Sequence, residues 1–295
     1  MNILVTNNTF SFTGGSETYA YAVIAELVRQ GHNVDAFTTG PVTMIGEEIR
    51  KLGVQIFYKT VPRKNYDFVI GSHTSTFEHL DQYIGKKIQT CHGIFPALEQ
   101  PYRGIEHVAI SKEVHDHIKT KGMTSTIIHN GVDCERFKPT KELNTKMKKI
   151  LSLSHDQSVN QLLEQACRVA GIEFEWQNKY INPMINIEDK IQDADLVVTL
   201  GRGAYESMAA GRPVLIYDKR GYSGLPAVGD GILTLDNIDK ALENNCSGRA
   251  TKKEFTIASM VEEFKKYNPE LGDQMRTYAL ENFNIETNMK KYLEL

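Results

Sequence analysis

Residues 2–39 read "NILVTNNTFSFTGGSETYAYAVIAELVRQGHNVDAFTT". A short apolar run rich in β-branched residues opens the stretch, and a polar loop ending in Gly14 and Gly15 follows it. An apolar stripe at helical spacing (Tyr21, Ile24, Ala25, Val28) then runs through a helix predicted from about Thr18 to Gln30. Gly31 marks the helix stop, and "NVDAFTT" resumes an extended pattern. Strand, glycine loop, helix, glycine stop and strand, in that order, make the βαβ unit of a parallel sheet.

The same grammar continues outward. Helix "GEEIRKLG", strands "VQIFYK", "YDFVIGS", "KKIQTCH" and "HVAIS", helix "KEVHDHIKTKG" and strand "TSTIIHN" follow in turn. A polar stretch led by proline, "PTKELNTKMKK" at 139–149, reads as a linker. A second α/β series begins at "ILSLS" and runs through "QLLEQACRVAG", "IEFEWQ", "IEDKIQDA", "DLVVTL", "AYESMAAG" and "PVLIYD". The last third reads as helical and charged. The pattern predicts an α/β protein of two Rossmann-like domains: 1–139, a linker at 140–149, 150–272, and a closing helix at 273–295. Two such domains would face one another across a cleft lined by strand carboxyl ends, where ligands of doubly wound sheets bind.

Composition narrows the function classes. The chain of 295 residues is 41% apolar and 24% charged, ordinary globular values with room for two cores. Its net charge of −3, and equal numbers of basic and acidic residues in 1–138, give no electrostatic case for nucleic acid as a partner. "MNILVTNNTFS" lacks the basic n-region and long apolar run of a secretory signal, and no stretch reaches the roughly 20 apolar residues of a membrane span. Cys91, Cys134, Cys167 and Cys246 lie far apart without a C-x-x-C pair, which argues against a zinc site or a dense disulfide framework. The expectation is a cytoplasmic protein without a metal site.

Residues with chemical potential cluster at predicted strand ends. Gly14 and Gly15 precede a helix whose free N–H groups and dipole favour an anion, and glycine lets backbone approach a ligand closely. Glu17 falls in the first helical turn, where it also complements the dipole. His73 in "GSHTST" and His92 in "TCHGIFP" follow buried strands. "HDH" at 115–117 lies in a helix and reads as a solvated face. In "TIIHNGVDCERFKP", Asn130 and Gly131 predict a tight turn after a strand, with Phe137 and Pro139 anchoring the exit. In "LGRGAYESMAAGRPVLIYD", residues 200–218, a strand–turn–helix carries Gly201, Arg202, Gly203 and Glu206. The G-x-G-x-x-G spacing of dinucleotide folds is absent, which weakens an oxidoreductase reading.

Taken in order, these segments resemble the family-4 retaining glycosyltransferases, which have the two-domain GT-B fold. "TIIHNGVDCERFKP" looks like their N-G-V-D-x-x-x-F-x-P signature, and "TGGSETYAYAVIAELVRQGHNV" like their GG-x-E loop, helix and G-H-x-V strand. "TCHGIFP" is similar to a T-x-H-G segment, "VAISKEVHDHI" to an A-x-S-x-x-V stretch, and "ESMAAGRPVLIYD" to an E-A-M-A-x-G-x-P-V block. "YALENFNIETNMKKYLEL" resembles the final helix, which in that fold crosses back to the first domain.

The resemblance implies metal-independent transfer of a sugar from a nucleotide-diphosphate donor to an acceptor hydroxyl, with retention of configuration and no cofactor. The acceptor is a saccharide, a glycolipid or another hydroxyl compound. It gives His92, Gly15 and Glu206 to catalysis, with Glu206 accepting from the nucleotide ribose. Gly14, Gly15, Asn130, Ser154, His155, Gly201, Arg202 and Gly203 join Glu206 around the donor, and His73 and Glu17 stand on the acceptor side. Two departures stand out. The family's Arg/Lys pair early in the second domain is missing from "LSLSHDQSVNQ", and Val198 occupies the position of its first glutamate. Arg202 is the nearest substitute for the phosphate-binding pair, helped by Ser154 and His155. The rival readings are a GT-B sugar-nucleotide epimerase and a catalytically silent nucleotide-sugar-binding protein.

Overall fold

The apolar run at the start is strand β1 (Asn2–Asn7), whose last five residues are all buried. Around it, in a computed structural model that describes residues 1–11, 14–60, 65–80 and 85–295, the first half of the chain builds a parallel sheet. Phe12 and Thr13 of the expected loop lie outside the described residues. Helix α1 (Gly15–Arg29), β2 (Asn33–Thr38), α2 (Met44–Lys51), β3 (Gln55–Tyr58) and β4 (Phe68–Gly71) follow β1. The short α3 (Thr74–Phe77), β5 (Lys86–Cys91), a 3-10 turn (Ala97–Glu99), β6 (Glu106–Ala109), α4 (Lys112–Thr120) and β7 (Thr126–Ile127) complete the series. The strand order β3-β2-β1-β4-β5-β6-β7 reverses direction between β1 and β4, as in doubly wound folds.

Helix α1 begins three residues earlier than its periodicity predicts, and its buried face is rotated. Tyr19, Ala20, Val23, Ile24 and Leu27 are buried, whereas Tyr21, Ala25 and Val28 are only partly so. The sequence "YAYAVIAELV" is apolar nearly all round, so its period cannot fix which stripe meets the sheet.

The second series gives β8 (Lys149–Ser152), α5 (Gln157–Ala170), β9 (Glu173–Trp176), α6 (Ile187–Gln192), β10 (Leu196–Thr199), α7 (Arg202–Ala209) and β11 (Val214–Asp218). Then come β12 (Val228–Ile232), α8 (Ile238–Leu242), α9 (Ile257–Phe264) and α10 (Glu270–Asn282). The sheet order is β12-β11-β10-β8-β9, with the switch between β8 and β10. Strand β12 runs antiparallel to β11 across an irregularity at Ile216/Tyr217, so this sheet is mixed rather than purely parallel. Its sequence, "VGDGI", hides the strand behind two glycines. A Cβ on Gly229 would sit 2.1 Å from the Ile216 carbonyl oxygen, and Gly231 has φ +81°.

The chain divides into two compact units, Met1–Asp133 with Ile285–Leu295, and Cys134–Asn284. The proline-led stretch at 139–149 therefore lies within the second unit, and side chains fasten it there. Gln192 Oε1 accepts from Thr140 N at 2.9 Å, and Asp195 accepts from Asn144 Nδ2 at 2.9 Å and from Lys148 N at 2.7 Å. The segment 273–295 is two helices, not one. Helix α10 packs on α7 in the second unit, where Arg276 Nη1 donates to the Ala209 carbonyl at 2.6 Å. The break follows Phe283, which is buried against Tyr205.

Helix α11 (Ile285–Glu294) belongs to the first unit. Ile285, Met289 and Tyr292 enter its core, and the Tyr292 hydroxyl lies 2.8 Å from Tyr19 Oη and 2.9 Å from Thr90 Oγ1. The N-G-V-D stretch docks this helix: Ile285 N donates to Val132 O at 3.0 Å and Asn288 Nδ2 to His129 O at 2.9 Å. Gly131 serves close approach here, since an added Cβ would meet Ile285 Cγ1 at 2.9 Å.

Candidate active site

At the switch point of the first sheet, the carboxyl ends of β1, β4 and β5 present Asn8, Ser72, His73 and His92. His73 is buried, and its Nδ1 accepts the Asn8 N–H at 3.1 Å, so the neutral ring carries its proton on Nε2. Burial lowers the His73 pKa to about 4. The His92 Nε2 lies 3.0 Å from Ser72 Oγ, and its ring meets Tyr19 edge-on with centroids 4.8 Å apart. Gly14 is the N-cap of α1 with no side-chain cap, which leaves first-turn N–H groups for another acceptor.

The two glycines do not supply an unusual backbone. Gly14 has φ −69°, and neither it nor Gly15 has a positive φ. They supply room instead. A Cβ on Gly14 would lie 2.1 Å from Glu17 Oε2, while at Gly15 it would meet nothing within 4 Å. Glu99, a residue that sequence reasoning missed, faces the same edge. Its Oε2 lies 2.8 Å from where a Cβ on Gly93 would stand, and burial followed by the charge of Glu17 pushes its pKa up to about 7. The histidines of "HDH" are not merely solvated: His115 Nδ1 pairs with Ser125 Oγ at 2.9 Å and His117 Nε2 with Gln100 Oε1 at 2.7 Å. Asn130 is buried beside the docking point of α11, in the first unit.

At the switch point of the second sheet, Gly201 stands at φ +58° as the N-cap of α7 and donates its N–H to Cys246 O at 3.1 Å. Asn245 and Cys246 both hold left-handed backbone, and Asn245 Oδ1 accepts from Tyr205 Oη at 2.7 Å. Gly203 is required by packing, since a Cβ there would meet Thr199 Oγ1 at 2.4 Å. One turn apart, Arg202 Nε donates to Glu206 Oε1 at 2.7 Å, with side chains 12% and 13% exposed. The acidic partner of Arg202 is thus Glu206, the other residue singled out in this stretch.

Ser154 and His155 follow the adjacent strand β8. The buried Ser154 Oγ donates to Asp218 Oδ1 at the end of β11 and receives the Asp156 N–H at 3.2 Å. The His155 ring meets Tyr180 edge-on at 5.1 Å. Burial, with the charges of Lys179 and Arg220, lowers the His155 pKa to about 4. Asp218, Arg220, Lys179 and Tyr180 were not found from the sequence. The readable signal was "YDKRG", a cluster of charge directly after an apolar strand. Among the described residues no group of three or more His, Cys, Asp or Glu is placed to hold a metal, and no helix is long and apolar enough to cross a membrane.

No protein-family model matches the chain, and no curated protein matches its sequence. Solved structures do match its fold over nearly its full length. A glycosyltransferase from Rickettsia africae ESF-5 superposes with a TM-score of 0.60 at 15% identity, covering 99% of this chain and 97% of that one. HepE from Anabaena, solved with UDP and glucose, gives 0.63 at 12% identity over 99% and 98% of the two chains. TarM, the Staphylococcus aureus protein, gives 0.63 at 12% over 99% and 98%. The chain has the GT-B fold that these glycosyltransferases share.

Proposed function

We propose that the chain is a glycosyltransferase that moves a sugar from a nucleoside-diphosphate donor to an acceptor hydroxyl, with retention of configuration and without a metal. The observation that carries the reading is Glu206, held by Arg202 at the switch point of the second sheet. A carboxylate so oriented keeps acceptor capacity for the vicinal hydroxyls of a ribose. The nature of the fold's neighbours supports the donor class, HepE having been solved with UDP and with UDP and glucose. On the first sheet, His92 is the group we assign to the sugar near the reacting carbon, with the N–H groups around Gly14 and Gly15 facing donor or acceptor oxygens. The acceptor proton passes to the leaving diphosphate as the glycosidic bond breaks, so no separate base is required.

A silent binding protein is the second reading, and Val198 favours it. The residue at the position of the family's first glutamate is fully buried in β10, paired with Leu215 and Ser152, and offers a ligand nothing polar. Titration calorimetry against UDP, GDP and ADP, followed by product assays with the matching nucleotide sugars, separates the two. Glu206→Ala is expected to weaken nucleotide binding by about 1.5–3 kcal/mol, the range for hydrogen bonds to a charged group. Unchanged affinity would remove Glu206 from the donor site, and binding without turnover would favour the silent protein.

A further inference from the structure

Three buried side-chain atoms without a hydrogen-bond partner belong to one cluster at the carboxyl edge of the second sheet: His155 Nδ1, Asp218 Oδ2 and Arg220 Nε. Buried polar atoms are paired in the great majority of folded proteins, so three such atoms in one place call for an explanation. The cluster is tightly built. Asp218 is 3% exposed, and its Oδ1 is occupied by Ser154. Arg220 Nη2 lies 3.0 Å from Asp218 Oδ2, an ion pair that lacks hydrogen-bond alignment and leaves the guanidinium Nε without an acceptor. Lys179 lies close enough for its charge to act on His155, and Lys219 Nζ lies 4.0 Å from Asp156 Oδ2. Three cations, Arg220, Lys179 and Lys219, therefore stand with two carboxylates, Asp218 and Asp156, an excess of positive charge beside an Arg220 Nε–H that has no acceptor. The neighbouring Tyr180 ring is 74% exposed.

We propose that Arg220 and His155 bind the diphosphate of the donor, in place of the basic pair missing from the "LSLSHDQSVNQ" loop. The inference rests on the nucleoside-diphosphate reading and moves the phosphates from Arg202 to the ends of β8 and β11. Arg202 then serves to orient Glu206, as its ion pair already does. A phosphate oxygen takes the donors that Asp218 fails to align with, and the anion draws a proton onto His155 as it binds. Asp218 Oδ2, released, becomes an acceptor for a sugar hydroxyl. The exposed Tyr180 ring offers a flat apolar face beside the phosphates.

Titration of the full chain with UDP and, separately, inorganic pyrophosphate tests this, using the wild type, Arg220→Ala, Arg220→Lys, His155→Gln and Arg202→Ala, each checked for a native circular dichroism spectrum. Arg220→Ala is expected to weaken both probes by about 10- to 100-fold, with Arg220→Lys between it and the wild type. Wild-type UDP affinity is expected to rise as pH falls from about 7 towards about 5, above the free ring's value of about 4, and His155→Gln to flatten that slope, which a purely structural role would not do. Pyrophosphate bound through Arg220 without any nucleotide binding would uphold the anion site and overturn the nucleotide reading. UDP affinity within about twofold of wild type in Arg220→Ala, lost instead in Arg202→Ala, would overturn the inference and leave the transferase reading standing. Absence of binding by either probe to the wild type would overturn both.

Discussion

Glu99 carries an ionisation cost that can be measured without any ligand. Burial first, and the neighbouring Glu17 second, raise its folded pKa from the ordinary 4.5 to about 7. The folded chain thus holds the proton more tightly than the unfolded one. The contribution to stability is complete below about pH 4.5 and is lost as pH rises through about 7. Ionised Glu99 should cost up to about 3 kcal/mol, at 1.36 kcal/mol per pKa unit. Glu99→Gln, which keeps the shape and drops the charge, is expected to be more stable than the wild type near pH 8 by up to that amount. The two should converge towards pH 5, as read from urea midpoints across the range. A constant difference at all pH values would mean that Glu99 is solvated and ordinary.

Among the elements, the stretch that joins the two α/β series is held by Gln192 at its start and by Asp195 over the rest. Asp195 receives four N–H donors from it, at Asn144 N, Asn144 Nδ2, Lys148 N and Lys149 N. Burial works to raise the Asp195 pKa, but these donors prevail and hold it below the usual carboxylate range. Asp195→Ala is expected to cost about 2–4 kcal/mol in urea unfolding, since it strands several donors at once, and to speed amide exchange at Lys148 and Lys149. Unaltered exchange would show that the stretch holds itself. The linker composition at 139–149 was legible, but its fastening was not, because Asp195 stands some fifty residues away in a strand-leading "DAD" with no local mark. The same division holds elsewhere. Strands such as β10 and β11 and the turn into α7 are local patterns of apolar residues and glycine, and they read directly. The Ser154–Asp218–Arg220 cluster unites the ends of β8 and β11, which β10 separates in the sheet, so no spacing in the sequence announces it.

For the molecule as a whole, the governing fact is that the last eleven residues complete the core of the first unit. Tyr292 is its keystone: 1% exposed, with its hydroxyl between Tyr19 and Thr90. Tyr292→Ala is expected to destabilise the first unit by about 3–5 kcal/mol, the range for removing a large buried ring. The sole tryptophan, Trp176, lies in the second unit and reports on that unit alone. Urea unfolding of Tyr292→Ala should therefore separate into two steps, with circular dichroism falling before Trp176 fluorescence changes. A single coincident transition, shifted for both probes, would show that the units unfold together.

The return of α11 also sets a timetable for biosynthesis. The first unit is made first but cannot close when Asp133 leaves the ribosome, because its last core residues are encoded beyond the entire second unit. At about 5–20 residues per second the interval lasts roughly 8–30 s. Throughout it, the faces of Tyr19, Val23 and Ile128 that α11 will share core with stay uncovered. The newborn chain thus spends that period with an open hydrophobic seam on its older half, a target for chaperone binding that disappears only once α11 has been made and has docked.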